Sequence, residues 1–155
     1  MLKLVFDHHI HASADCVWDV ITRFEEYGEW NSFTPECKTE LRSGAPITMT
    51  VNLGSRVIKQ TECVHDVRPR TLFEYRMKPV GPLLRSYRQH RITPIGSDEA
   101  HYQSVFVLYG WLSPIVGWLL GKNLSAGFET MSRELKYRAE SLAETPAGVG
   151  RPLEE

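Results

Sequence analysis

Two neighbouring runs of the chain carry side chains able to handle protons or anchor a polar group. In Ser86 to Thr93, if Ile92 faces inward, strand alternation puts Arg88 and His90 on the same side, with Gln89 and Arg91 outward. In His101 to Tyr109, Phe106 and Leu108 mark an inner face that also holds Tyr102 and Ser104. Tyr75, on the run before these, adds another hydroxyl. Interior imidazole, guanidinium and phenol groups could contact the polar part of a bound molecule or act as acid and base. The same residues also have a purely structural explanation. A buried arginine needs a partner, which Glu62 or Glu74 could supply, and a buried tyrosine hydroxyl commonly bonds a backbone carbonyl. His90 is the leading candidate for a polar contact to a ligand.

Other chemistries find less support. His9 and His11 share a strand face, but it is the face opposite Ile10, and no carboxylate or cysteine stands nearby at a ligand spacing, so no metal is expected. His8, on the Phe6 and Ile10 side, reads as an interior or cavity-wall histidine. Cys16, Cys37 and Cys63 are odd in number, widely spaced and without a local activating base, and no Gly-x-Ser-x-Gly motif is present. No catalytic nucleophile and no cofactor are assigned. With 18 Lys and Arg against 19 Asp and Glu, the chain lacks the basic excess that phosphate backbones attract, so nucleic acid is not an expected partner.

The elements that must position these groups are legible in the periodicity. Leu2, Leu4, Phe6, His8 and Ile10 alternate with polar residues as a first strand; Ser13 caps a short helix with Val17, Val20, Ile21 and Phe24 as its stripe, and a second short helix runs on to Trp30, broken at Gly28. From Glu36 to Tyr109, about six strands separated by turn signals such as Ser43-Gly44-Ala45-Pro46 and Pro94-Ile95-Gly96-Ser97 favour an antiparallel meander. The chain then enters one long helix from Ser113, read as its N-cap, to about Ala143, with Pro114 in the first turn. Its second half carries a stripe of Leu124, Phe128, Met131, Leu135, Ala139 and Leu142. Its first half, with Trp111 and Leu112 leading in, is apolar all round and interrupted by Gly117 and Gly121.

The 155 residues, 42% hydrophobic and 24% charged, suit a single α+β domain over 1–144 with a tail from 145 to 155 rich in Pro, Gly and Glu. A seven-stranded antiparallel sheet is expected to curl, with the long helix across its concave face and a space between them. The longest greasy run falls short of the roughly 20 apolar residues of a spanning helix, and Asp7, His8 and His9 interrupt the apolar start; no stable membrane insertion and a cytoplasmic protein are expected. Whether the chain forms a homodimer stays open.

The order of elements, with Ile10-His11-Ala12-Ser13-Ala14-Asp15-Cys16-Val17-Trp18, Tyr27-Gly28-Glu29-Trp30-Asn31-Ser32-Phe33, His90-Arg91-Ile92-Thr93-Pro94-Ile95-Gly96, Tyr109-Gly110-Trp111-Leu112-Ser113-Pro114 and Gly127-Phe128-Glu129-Thr130-Met131, resembles the START-like (SRPBCC) superfamily, in its polyketide cyclase/dehydrase-like branch. Ser32 departs from the proline that relatives often carry after Trp-Asn, and Ser132 from an asparagine after Met. The resemblance implies a helix-grip fold: a curved seven-stranded antiparallel sheet around a long C-terminal helix, with two short helices after the first strand. It also implies that Trp30 and Phe33 lie near a cavity entrance, unless they only hold the second helix to the sheet. The scaffold serves lipid carriers, hormone receptors, aromatic cyclases and quinone-binding proteins, so it does not name an activity.

Three functions compete. One is carriage or sensing of a hydrophobic small molecule such as a lipid, quinone or aromatic or polyketide compound, with Trp111 and Trp118 in a movable mouth beside Val80 to Leu84. The second is an aromatase/cyclase enzyme using His90, Arg88 and Tyr102. The third is an interaction module docking the Trp111 to Leu120 surface onto a partner or membrane, which exposure of Trp118 would favour.

Overall fold

Alternating burial runs the length of the first strand, β1 (Leu2–Ile10): its even-numbered residues turn inward and Lys3, Val5, Asp7 and His9 outward. The computed structural model describes residues 1–145. After β1 come α1 (Ala14–Thr22), a 3-10 turn (Phe24–Glu26), α2 (Tyr27–Trp30), β2 (Glu36–Lys38), β3 (Pro46–Leu53), β4 (Arg56–Arg68), β5 (Leu72–Arg76), β6 (Arg85–Pro94), β7 (Ala100–Tyr109) and α3 (Ser113–Glu144). The seven strands form one curved antiparallel sheet in the order β1-β7-β6-β5-β4-β3-β2. Strands β2 to β7 are therefore a continuous meander. β1 joins it by pairing with β7, from Leu2 opposite Leu108 to Ile10 opposite Ala100. The expected α+β helix-grip architecture is what the chain adopts.

Capping differs at the two main helices. Ser13 caps α1 as its sequence suggests: its Oγ accepts from the Cys16 N–H at 3.2 Å. Ser113 does not cap α3. It is the first helical residue and buried, Leu112 occupies the cap position without a side-chain bond, and Pro114 needs no N–H partner in the first turn.

The 32 residues of α3 span about 48 Å. Phe128, Met131, Ser132, Leu135 and Ala139 are buried on the sheet and on α1. Leu142, expected on the same stripe, is largely exposed, because the helix has passed the edge of the core there. Close approach is possible at Gly127 because it has no Cβ: a methyl there would overlap the Phe33 ring. Gly110, at φ +112°, sets the turn into α3 against the Leu83 carbonyl. Among the described residues no helix is long and apolar enough to cross a membrane. Beyond Thr145, the expected tail lies outside the described residues.

Candidate functional site

The loop after α2 is fixed by polar contacts that carry Phe33 into the interior. Asn31 Oδ1 accepts from the Thr34 N–H at 2.8 Å, the Phe33 carbonyl accepts from Asn52 N–H on β3 at 2.8 Å, and Ser32 donates through its N–H and Oγ to Glu134 of α3 at 2.9 and 2.7 Å. The last pair gives the serine at 32 a physical role, since a proline there would have no N–H to give. Ser132 is likewise satisfied locally, its Oγ–H bonding the Phe128 carbonyl at 2.7 Å.

Phe33 stands at one wall of a cavity of about 170 Å³ between the sheet and α3. Its apolar lining comes from β3 (Met49, Val51, Leu53), from Phe106 on β7 and from Val116, Leu120, Leu124 and Phe128 on α3; its polar lining is Thr34, Gln60, Glu62, Tyr75, Ser86 and Arg88. A second space of about 460 Å³ shares Leu53, Ile58, Val116 and Leu120 with it and forms a vestibule between the β3–β4 turn and the first half of α3. The inner cavity alone is small for a ligand, while the two together fall in the ~300–1,000 Å³ range usual for binding pockets.

Arg88 dominates the electrostatics. On β6 it lies opposite Tyr75 of β5 and Phe106 of β7, and its side chain is 1% exposed. Its Nε, Nη1 and Nη2 have no hydrogen-bond partner among the described residues; the guanidinium lies instead 3.9 Å from the centre of the Phe128 ring. That ring packs edge-on against Phe33 and tilted against Phe106, with centroids 5.0 and 4.8 Å apart. The expected ion pairs to Glu62 or Glu74 do not form. Glu74 lies on the outer face of β5, where Arg76 Nη2 approaches to 2.7 Å and Gln89 Nε2 donates to it at 2.9 Å. Glu62 faces the same cavity as Arg88 without reaching it. Burial pushes its carboxyl up to about 7, and the Arg88 charge pulls against that rise.

His90 and Tyr102 share the inward face with Arg88 but lie deeper, outside the cavity lining. His90 Nδ1 and the Tyr102 hydroxyl are joined by a 2.7 Å hydrogen bond, and the imidazole stacks on Phe73 and Tyr102. Burial, with a smaller push from Arg88, holds His90 well below the usual histidine range, so it is neutral at pH 7. Ser104, also fully buried, leaves its Oγ without a partner among the described residues. Trp30 is partly buried, edge-on to Tyr27, and its ring likewise stays out of the lining. Of the residues singled out from the sequence, the structure brings Phe33, Tyr75, Arg88 and Phe106 together at the cavity. Trp30, His90, Tyr102 and Ser104 sit behind or beside it, and Trp111 and Trp118 point to solvent at 79% and 83% exposure. The sequence reading did not single out Glu62 as a site residue or Phe128 as the arginine's neighbour. The sequence signal for Glu62 was the need of a buried arginine for an acidic partner; the structure pairs it with the inward-facing Ile47.

The imidazole pair on the outer face has a neighbour that spacing alone could not supply. The β1–β7 pairing brings Glu99 to 3.2 Å from His9 Nε2 and 3.6 Å from His11 Nδ1, correcting the expectation that no carboxylate stands near. All three are exposed or partly exposed, and the contacts account for them as a surface polar cluster.

The sequence matches, over residues 1–145, the family described as polyketide cyclase/dehydrase and lipid transport. No curated protein matches it. Among solved structures, the fold is similar to a START superfamily protein from Mycobacterium smegmatis (19% identity, 90% of this chain and 98% of that one, TM-score 0.72). It is also similar to the Zhui aromatase/cyclase of Streptomyces sp. R1128 (18% identity, 92% and 93%, TM-score 0.65). A further match is norcoclaurine synthase from Thalictrum flavum, solved with dopamine and hydroxybenzaldehyde (17% identity, 95% and 90%, TM-score 0.64). With the helix-grip architecture and the family match covering nearly the whole chain, the protein belongs to the polyketide cyclase/dehydrase and lipid transport family of the START-like (SRPBCC) superfamily.

Proposed function

We propose that the protein binds an amphipathic small molecule whose apolar body fills the cavity and vestibule and whose anionic or strongly accepting group meets Arg88. The observation that carries this reading is the guanidinium itself. A buried cation without hydrogen-bond partners among the described residues is costly to fold around, and it faces a space whose lining is mostly apolar, with Thr34, Gln60, Glu62, Tyr75 and Ser86 as the other polar groups. A carboxylate, enolate or quinone-type oxygen placed there would satisfy a planar fork of donors. Phe33, Tyr75 and Phe106 supply the apolar and aromatic walls.

A cyclase-type reaction is the second reading, favoured by Glu62. A carboxyl held near pH 7 beside a fixed positive charge is suited to exchange a proton with a bound carbonyl compound, while Arg88 would stabilise the enolate that results. His90 contributes to neither reading directly, being bonded to Tyr102 behind the wall.

The test is native mass spectrometry of the protein purified from its own host, followed by extraction and identification of what it carries. A single apolar compound with an acidic or accepting oxygen group, at one-to-one stoichiometry and lost in Arg88→Met, supports the binding reading. A compound without any acceptor, or full occupancy in Arg88→Met, overturns it. If the extracted compound is converted by wild type but not by Glu62→Gln, the enzyme reading replaces simple carriage.

A further inference from the structure

The first half of α3 shows a second apolar face that neither the core nor the cavity uses. Val116, Leu120 and Leu124 turn toward the cavity, and Gly117 and Gly121 lie against Leu2. Ile115, Trp118 and Leu119, at spacings of three and four, project into solvent at 58%, 83% and 60% exposure, and Trp111 joins them from the preceding turn. The β5–β6 loop extends the same surface. Leu112 N–H donates to the Leu83 carbonyl at 2.9 Å, which holds the β5–β6 loop, with its exposed Val80 and Leu83, against the turn that carries Trp111. The vestibule opens between this helix face and the β3–β4 turn. Isolated exposed apolar residues need no explanation, but a contiguous group with two tryptophans at a cavity mouth does.

Charge indicates what covers it. The segments that build this end, 53–61, 77–86 and 107–124, contain no Asp or Glu at all. They carry Arg56, Lys59, Lys78, Arg85 and Lys122, all exposed, and none of the five is in an ion pair among the described residues. Several surface arginines elsewhere are paired with carboxylates, as at Arg23, Arg68 and Arg138. A second copy of the chain would bring basic rim against basic rim. Indole rings among aliphatic side chains, fringed by unpaired basic residues and free of acids, match the chemistry of an anionic membrane surface, where tryptophan sits at headgroup level and lysine and arginine meet lipid phosphate.

We propose that this end of the molecule docks peripherally on an anionic lipid bilayer, with the vestibule facing the membrane. Trp111, Trp118 and Leu119 enter the headgroup region, while Lys78, Arg85 and Lys122 lie over it. The docking rests on the surface and holds whether or not the cavity takes the ligand class proposed above. If both hold, an apolar ligand passes between bilayer and cavity without crossing bulk water.

The test is co-sedimentation of the full chain with vesicles of equimolar phosphatidylglycerol and phosphatidylcholine, against vesicles of phosphatidylcholine alone, with tryptophan emission read in parallel. Wild type is expected in the pellet with the anionic vesicles, with blue-shifted emission, and in the supernatant with the neutral ones. Binding should fall about tenfold in Trp111→Ser/Trp118→Ser and in Lys78→Glu/Lys122→Glu, and similarly in high salt. These residues are exposed, so unchanged thermal melting of both variants checks that folding is intact. Arg88→Met removes the cavity cation without touching the surface and is expected to keep vesicle binding, which separates failure of this proposal from failure of the ligand reading. Wild type remaining in the supernatant with anionic vesicles, or binding both vesicle types equally with no effect of charge reversal, overturns the proposal. So does a homodimer in sedimentation equilibrium that is lost in the double tryptophan variant, since the surface then belongs to a second copy.

Discussion

The two halves of α3 are one continuous helix with opposite relations to the rest of the molecule. From Phe128 to Ala139 the helix is held by a stripe of buried residues against the sheet and α1. From Ser113 to Leu124 only Ser113 is buried; this half meets the sheet through Gly117 and Gly121 against Leu2 and otherwise has the cavity beneath it. Composition alone would suggest the reverse, since the greasier half is the less buried one. The difference teaches that hydrophobicity locates a buried face only when it is segregated to one side. Amphipathic sequence docks; sequence that is apolar all round leaves one face to the cavity and another to the outside.

Substitutions at matched positions test that contrast most directly. Leu135→Ala, at a fully buried site in the docked half, is expected to cost about 2–5 kcal/mol in urea unfolding. Equal stability to wild type would mean the docked half is not the anchor. Gly127→Ala probes the junction between the halves, where the new methyl must displace the Phe33 ring. A loss of about 1–3 kcal/mol is expected, together with weakened ligand uptake, because Phe33 is a cavity wall.

The cavity side of the comparison has a pH signature. Glu62 titrates near 7 in the folded protein, above its unfolded value, so burying its neutral form is easier than burying its carboxylate. Its relative contribution is therefore fully favourable below about pH 4.5 and is lost as pH rises through 7. Glu62→Gln should accordingly stabilise the protein by about 1–2 kcal/mol at pH 8 and hardly change it at pH 4, measured as the pH dependence of the unfolding midpoint. A gain that is the same at both pH values would show that the carboxyl is not desolvated. The smallest effect belongs to the outward face: Ile115→Ala should change stability by no more than about 0.5 kcal/mol, and a loss as large as that of Leu135→Ala would erase the distinction between the halves.

Much of the framework could be read before any coordinates. Ile47, Met49, Val51 and Leu53 alternate in sequence and are all buried in β3, and Arg88, His90 and Ile92 share the inward face because a strand leaves them no other choice. The stripe from Phe128 to Ala139 was legible for the same reason, with a period of 3.6 in place of 2. What could not be read depends on distances across the sheet or between layers. Spacing allowed Arg88 a glutamate partner, but strand geometry sends Glu74 to the outer face and leaves Glu62 across the cavity, so an aromatic ring from α3 is what the guanidinium meets. His90 offered the right chemistry in the right strand, yet its depth relative to the cavity floor follows from sheet curvature. Trp118 had no phase in an all-apolar segment, so its direction came only from how the helix leans. Glu99 reaches the histidines through a register between strands far apart in the sequence.

That register also sets an order of events. Among the described strands β1 pairs only with β7, about a hundred residues later, so it stays unpaired until nearly all of the meander has been synthesised. The helix that roofs the cavity is later still. Until α3 has followed β7, the sheet has an open side and the cavity has no roof. The cavity therefore closes only when α3 packs, after every strand around it is in place.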